Sequence, residues 1–219
     1  MAITSTDLVN DFTSQTDSPS LYIVDDEREL LASLADSLRA MGYSPKTFER
    51  PSELLNATCH DDIGCVITDL RMPGMGGLDL LHRLNDSGSC LSVILLTAFA
   101  DVPTAVEVMK HGAATVVEKP FDLRRLADEI ESAMMVSEQS FARQGKIRRA
   151  VKLLGLLSVE EIAVLDLAIG GIPNRQIAES LSTSPRTVDR RRHTALRKLQ
   201  AETVADYAVL KTLADYSWL

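Results

Sequence analysis

Five times between residues 20 and 118 a short strand-compatible run, apolar in all but the second, gives way to residues with apolar side chains at helical spacing, and this alternation limits the fold more than any other feature. The runs cover residues 21–24, 44–48, 65–68, 91–96 and 114–117. Between and after them Leu30, Leu31, Leu34, Leu38 and Met41 recur every three to four positions, with Gly42 closing the helix. Pro51 opens a short helix to Leu55, and further helices are predicted over 78–84, 102–111 and from Leu123 through Met135. The run at 65–68 is too continuously apolar to leave one sheet face in water, as in a strand buried within a parallel sheet. Strands alternating with helices in this way give a doubly wound, five-stranded parallel sheet with helices on both sides.

In such a sheet the carboxyl ends of the strands form one edge, where ligands bind. The runs end at Asp25-Asp26, at Asp69, at Thr97 and at Lys119, so three carboxylates, a hydroxyl and an ammonium should converge above the sheet. Asp69 leads into Met72-Pro73-Gly74-Met75-Gly76-Gly77, a sharp turn into the next helix. Taken alone, an Asp here would also suit a cap in an ordinary strand-to-helix loop. Clustered carboxylates stay ionised together only beside a cation, and an oxygen-rich site partly open to water suits Mg²⁺. Such a site handles phosphate: Asp69 is placed to attack phosphorus as a nucleophile, and Thr97 and Lys119 to hold the phosphoryl oxygens.

Asp25-Asp26, Asp69-x-x-Met72-Pro73-x-Met75-x-Gly77, Thr97-Ala98 and Lys119-Pro120-Phe121 together resemble the receiver domain of two-component response regulators, over roughly residues 20–136. The resemblance implies phosphorylation of Asp69 by a histidine kinase. It also implies Mg²⁺ bound directly by Asp26, Asp69 and the backbone carbonyl of Arg71, with Asp25 acting through metal-bound water, and a cis Lys119-Pro120 peptide. One position departs from the pattern. Receivers usually carry Tyr or Phe three residues before the lysine, and here that residue is Val116.

Charge divides the chain. The net charge of −8 is the sum of −13 over residues 1–142, with 10 Lys/Arg and 23 Asp/Glu, and +5 over residues 143–219, with 13 and 8. A basic carboxyl-terminal part on an acidic body points to two domains with different partners, the second a candidate for nucleic acid. Its pattern is all helical. Ser158 caps a helix with Glu161 three residues on, Gly170-Gly171 ends it, Pro173 and Asn174 open a second helix through Leu181, and Pro185 opens a third to about Gln200. A fourth covers 204–213. A short helix, a tight turn and a long basic helix form a helix-turn-helix. In the third helix Val188, Ala195 and Leu199 mark the inward face, and Arg186, Arg190, His193 and Arg197 form a cationic stripe opposite it.

Leu157-Ser158-x-x-Glu161-x-x-Val164-Leu165-x-Leu167, with Gly171-x-x-Asn174-Arg175-x-Ile177-Ala178-x-x-Leu181-x-x-Ser184-x-x-Thr187-Val188, resembles the LuxR-type DNA-binding domain. Joined to a receiver it is similar to the FixJ/NarL response regulators. That resemblance places Asp189, Arg190 and His193 at base-facing positions and Thr187, Arg191, Arg197 and Lys198 near the DNA backbone. Arg191 stands where these domains usually have His. The expected organisation is an amino-terminal arm over 1–18, a receiver over 19–137, a helix-compatible linker over 138–154 with Gly145 as a possible break, and the DNA-binding domain over 155–219.

The reading is a regulator rather than an enzyme, with a histidine kinase, double-stranded promoter DNA, a second copy of itself when phosphorylated, and RNA polymerase as partners. A protein-docking module that binds no DNA and a regulator that works without phosphate are the alternatives. The cysteines Cys59, Cys65 and Cys90 have no metal-ligand spacing with one another or with the four histidines, and His60, His82 and His111 have no evident partners. No apolar run approaches the length of a bilayer, and Asp7, Asp11 and Asp17 without a basic cluster are unlike a signal peptide, so a cytoplasmic location is expected.

Overall fold

The computed structural model describes residues 19–98, 106 and 108–215, so the arm expected over 1–18 and most of the helix expected over 102–111 lie outside it. Five strands, β1 (Ser20–Val24), β2 (Lys46–Phe48), β3 (Gly64–Asp69), β4 (Ser92–Thr97) and β5 (Thr115–Glu118), form one parallel sheet in the order β2-β1-β3-β4-β5. The order reverses between β1 and β3, which pair with Val24 opposite Thr68, so Asp25 and Asp69 leave the sheet side by side. Helices α1 (Arg28–Ala40), α2 (Pro51–Ala57) and α3 (Gly77–Asp86) follow the first three strands, and residues 106 and 108–110 are helical between β4 and β5.

Alternation along the strands sorts the core into two layers. Leu21, Ile23, Ile67, Ile94 and Val117 face Leu31, Leu34 and Leu38 of α1 and Leu126 and Ile130 of the helix after β5. Tyr22, Val24, Val66, Val93 and Leu95 face Leu54 of α2 and Leu80, Leu81 and Leu84 of α3. Both layers are apolar because both faces are covered. The edge strand β2 is shorter than the run at 44–48 because Pro45 has no N–H to give the ladder.

The helix after β5 is α4 (Leu123–Leu154), 32 residues without a break at Gly145. A glycine inside a helix costs about 1 kcal/mol, and burial toward either end offsets it: Ile130, Ala133 and Ser137 on one side, Ala150 and Leu153 on the other. Buried Ser137 accepts the N–H of buried Gly64 at 2.8 Å, which fixes the start of β3. The chain forms two units, divided between Phe141 and Ala142.

The second unit comprises the end of α4, α5 (Val159–Ile169), α6 (Asn174–Ser180), α7 (Pro185–Lys198) and α8 (Val204–Asp215). Ser158 and Glu161 form the expected capping box on α5, and Ser184 caps α7 by accepting from the Thr187 N–H at 3.1 Å. Two small cores close the unit. Leu153, Leu165, Ala195, Leu199 and Tyr207 make one, and Val164, Ile177, Ala178 and Val188 the other. Among the described residues no helix is long and apolar enough to cross a membrane.

Candidate functional site

Asp69 is the last residue of β3, and its two oxygens are held from different directions. Oδ1 accepts from Lys119 Nζ at 2.6 Å, and Oδ2 from the Arg71 N–H at 2.7 Å. The turn that aims Arg71 is closed by Gly77 N–H on the Leu70 carbonyl at 3.1 Å. A Cβ on Gly77 would collide with the carbonyl oxygen of Asp69, so glycine is what allows α3 to start this close to Asp69. Lys119 follows β5, with its N–H on the Thr97 carbonyl at 2.8 Å and its peptide to Pro120 in the cis form. Thr97 is buried at the end of β4.

Asp25 is buried, accepts the Glu27 N–H at 2.9 Å and lies 3.5 Å from Lys119 Nζ. Burial pushes its carboxyl above the ordinary value, and the Glu27 N–H and Lys119 only partly oppose this. Burial acts to lower Lys119, but the neighbouring Asp69 and Asp25 outweigh it and hold the ammonium above its usual range. Asp26 is exposed and lines an open cavity of about 370 Å³ with Arg50, Ser52, Met72 and Met75. The sheet edge therefore joins Asp25, Asp69 and Lys119 directly and sets Asp26 beside that cavity.

Among the described residues no three His, Cys, Asp or Glu side chains are gathered into a cage for a metal ion. Mg²⁺ does not need one, since it keeps several waters and takes one or two carboxylates. The donors available at this edge are all oxygens: Asp25 and Asp69 share one ammonium and Asp26 adds an exposed carboxylate nearby, an excess of negative charge that a hard divalent cation would balance. The residues fit Mg²⁺ and not a thiolate- or imidazole-seeking metal. Val116, at the position usually aromatic in receivers, packs half-buried against the Val66 and Leu95 layer, and an open volume of about 450 Å³ lies along residues 116–122 and Arg125.

In the second unit α7 buries Val188, Ala195 and Leu199 and exposes Arg186, Asp189, Arg190, His193 and Arg197, while Thr187, Arg191 and Lys198 are half-buried. Asp189, expected to face bases, is 3.2 Å from Arg192, which also reaches Asn174. Lys198, expected near the DNA backbone, gives its ammonium to Glu161 at 2.7 Å. That pair was not foreseen, because the two residues are 37 positions apart and nothing local links them. Of the histidines outside α7, His82 and His111 meet edge to face at 4.3 Å, with His82 Nε2 buried and without a hydrogen-bond partner among the described residues, and the exposed His60 lies 3.4 Å from Asp61.

Comparison with known proteins matches each of the two parts of the chain to a family. Residues 21–131 match the response regulator receiver domain, and residues 156–210 match the bacterial regulatory proteins of the luxR family. The transcriptional regulatory protein FixJ of Azorhizobium caulinodans is 34% identical over 198 residues, covering 90% of this chain and 94% of that protein. The response regulator protein TodT of Pseudomonas putida is 32% identical, covering 85% of this chain and 82% of TodT. Among solved structures, the response regulator StyR superposes with a TM-score of 0.76 at 31% identity, covering 90% of this chain and 99% of StyR. Full-length FixJ from B. japonicum superposes with a TM-score of 0.54 at 32% identity, covering 92% and 99%.

Proposed function

Because the chain belongs to the two-component response regulators that join a receiver domain to a LuxR-type DNA-binding domain, we propose that Asp69 is its phosphoryl acceptor and that phosphate there controls dimerisation and promoter binding. The family is one of DNA-binding transcriptional regulators, and a receiver implies a histidine kinase as donor. The observation that carries the assignment is the Asp69 carboxylate set between Lys119 Nζ and the Arg71 N–H at the sheet's switch point.

In the transfer an Asp69 oxygen attacks phosphorus, a P–O bond forms, the P–N bond to the kinase imidazole breaks, and its electron pair leaves with the ring. Lys119 gives up its bond to Asp69 for a phosphoryl oxygen, and the Thr97 hydroxyl donates from the next strand end. Asp26, Asp69 and the Arg71 carbonyl would hold Mg²⁺, with Asp25 acting through bound water. When bound, the ion supplies positive charge against the phosphoryl oxygens. The outer face expected over residues 102–125, of which 102–105 and 107 lie outside the described residues, then changes, with Val116 in place of an aromatic switch, and a dimer presents two α7 helices to paired half-sites. Arg186, Asp189, Arg190 and His193 read or border base edges, and Thr187, Arg191 and Arg197 grip phosphates. RNA polymerase is the partner downstream. In this division the receiver covers 19–137, the linker 138–154 and the DNA-binding domain 155–219.

The test compares wild type with Asp69→Asn in duplex binding and light scattering, with and without Mg²⁺ and phosphoramidate. The expected result is a donor-dependent gain in affinity and mass in the wild type alone. Equal responses, or none in either protein, would remove the phosphoryl switch.

A further inference from the structure

The cavity of about 370 Å³ beside Asp26 contains a cation that the described residues leave uncompensated. Arg50 lines it, is exposed, and its guanidinium makes no hydrogen bond or ion pair with any described residue. The carboxylates nearest to it in sequence are occupied elsewhere. Both oxygens of Glu49 are taken by Arg28, at 2.8 and 2.9 Å, and Glu53 accepts the Glu49 N–H at 3.2 Å. The Ser52 hydroxyl, which also lines the cavity, has no partner among the described residues, and Pro51, Met72 and Met75 add apolar surface. The planar fork of a guanidinium matches carboxylate and phosphate oxygens. A cavity that keeps one free beside an acidic sheet edge has a place for an anion.

The sheet brings that place within reach of Asp69. Strands β2 and β3 flank β1, with Val24 opposite Phe48 on one side and Thr68 on the other, so Arg50 stands two residues beyond its strand's last pair and Asp69 one. With strands about 4.8 Å apart, the two backbones are separated by roughly 10 Å. An arginine side chain and a short acyl group fill that gap when a phosphorus atom lies against Asp69. Which anion this suits follows from the transfer chemistry. When Asp69 attacks a phosphoramidate or a phosphoimidazole, the P–N bond breaks and its electron pair leaves on a nitrogen base that departs neutral, its proton already in place. When the donor is an acyl phosphate, the P–O bond to the acyl group breaks and its electron pair leaves on a carboxylate oxygen as a full negative charge. A cation at the leaving group is stronger in that transition state than in the ground state and speeds only the second transfer.

We propose that Arg50 makes this cavity a leaving-group subsite for small acyl phosphates: the guanidinium, with the Ser52 hydroxyl, takes the carboxylate as it departs, and the short acyl chain lies against Met72 and Met75. The subsite rests on Asp69 as the phosphoryl acceptor. It makes Arg50 a specificity-determining residue, one that sorts phosphodonors by the charge on the group they release.

The test measures initial rates of phosphorylation of the full chain by intact-mass spectrometry at fixed Mg²⁺, with acetyl phosphate and phosphoramidate as the two probes, in wild type, R50A, R50E and D69N. The readout is the ratio of the acetyl phosphate rate to the phosphoramidate rate, which cancels any general loss of folded protein. In R50A the ratio should fall about tenfold, the low end for a charge-assisted hydrogen bond because the cavity is open to water and salt. R50E, which reverses the charge, should lower it further. An unchanged or raised ratio in R50A, a ratio in R50E at or above that of R50A, or a wild type that only phosphoramidate phosphorylates overturns the subsite. D69N separates the premise: it should take phosphate from neither donor. If it is phosphorylated as fast as the wild type, or if neither donor phosphorylates the wild type, the acceptor assignment fails whatever the ratio in R50A.

Discussion

Glutamine at position 161 keeps the size of the side chain and removes its charge, which isolates what the carboxylate gives to the DNA-binding unit. One oxygen, Oε2, accepts from Lys198 Nζ at 2.7 Å and from the Ser158 N–H at 2.8 Å. A hydrogen bond to a charged group contributes about 1.5–3 kcal/mol and a neutral one about 0.5–1.5, so each is weakened by about 1 kcal/mol. The Lys198 side chain is 37% exposed and rehydrates when its partner is lost, which keeps the loss below that of a fully buried ion pair. The expected cost is about 2 kcal/mol at pH 7, or roughly 8–16 °C in the midpoint of a unit this size. Burial pushes the Glu161 carboxyl up, but Lys198 and the Ser158 N–H outweigh it and hold the group below the ordinary 4.5. A depressed value means that the stabilisation is complete above 4.5 and is lost as pH falls through the folded value. Calorimetry of the full chain should therefore show Glu161→Gln well below wild type at pH 7.5 and converging with it below pH 4.5. Equal midpoints at pH 7.5, or a deficit independent of pH, would refute the argument. DNA binding adds a second reading. If Lys198 acts through Glu161, Lys198→Ala and Glu161→Gln are non-additive and leave the salt slope alone, whereas a phosphate-gripping Lys198 lowers the slope by about 1 when removed.

Ser137→Ala leaves the buried Gly64 N–H without its acceptor, and urea denaturation should register a loss of about 1–3 kcal/mol in the receiver unit with no change in the unit from Ala142 onward. Asp25→Asn should stabilise the receiver at neutral pH by about 1 kcal/mol, because a buried carboxyl raised above its ordinary value opposes folding when ionised. Since the value is raised, the gain over wild type should be small below pH 3.8 and grow as pH rises through the folded value. The same variant should gain less from added Mg²⁺ in a thermal melt, because the cation would lose an anionic partner.

Asp25, Asp69, Thr97 and Lys119 were legible in the sequence because each stands where an apolar run stops, and parallel strands bring such stops to one edge. The Ser158–Glu161 box and the buried side of α7 were legible for the same reason: spacing of three or four residues is a local code for a helix face. The Gly64–Ser137 bond, spanning 73 positions, and the His82–His111 contact follow from how helices settle on the finished sheet, and no local periodicity encodes them. Gly145 shows the converse. Its intrinsic preference argued for a break, and burial at residues far to either side overrode it.

The ammonium and the carboxylate that it grips are 50 positions apart, and the carboxylate nearest the other side of that ammonium is 94 positions away. During synthesis, at about 5–20 residues per second, Asp25 and Asp69 leave the ribosome several seconds before Lys119. Until β5 docks on β4 the nascent chain carries the Asp69 carboxylate without its counter-charge, so a truncated product ending before β5 has an intact Asp69 but lacks the ammonium that balances it. The last strand in sequence thus serves as the pocket's proof of completion.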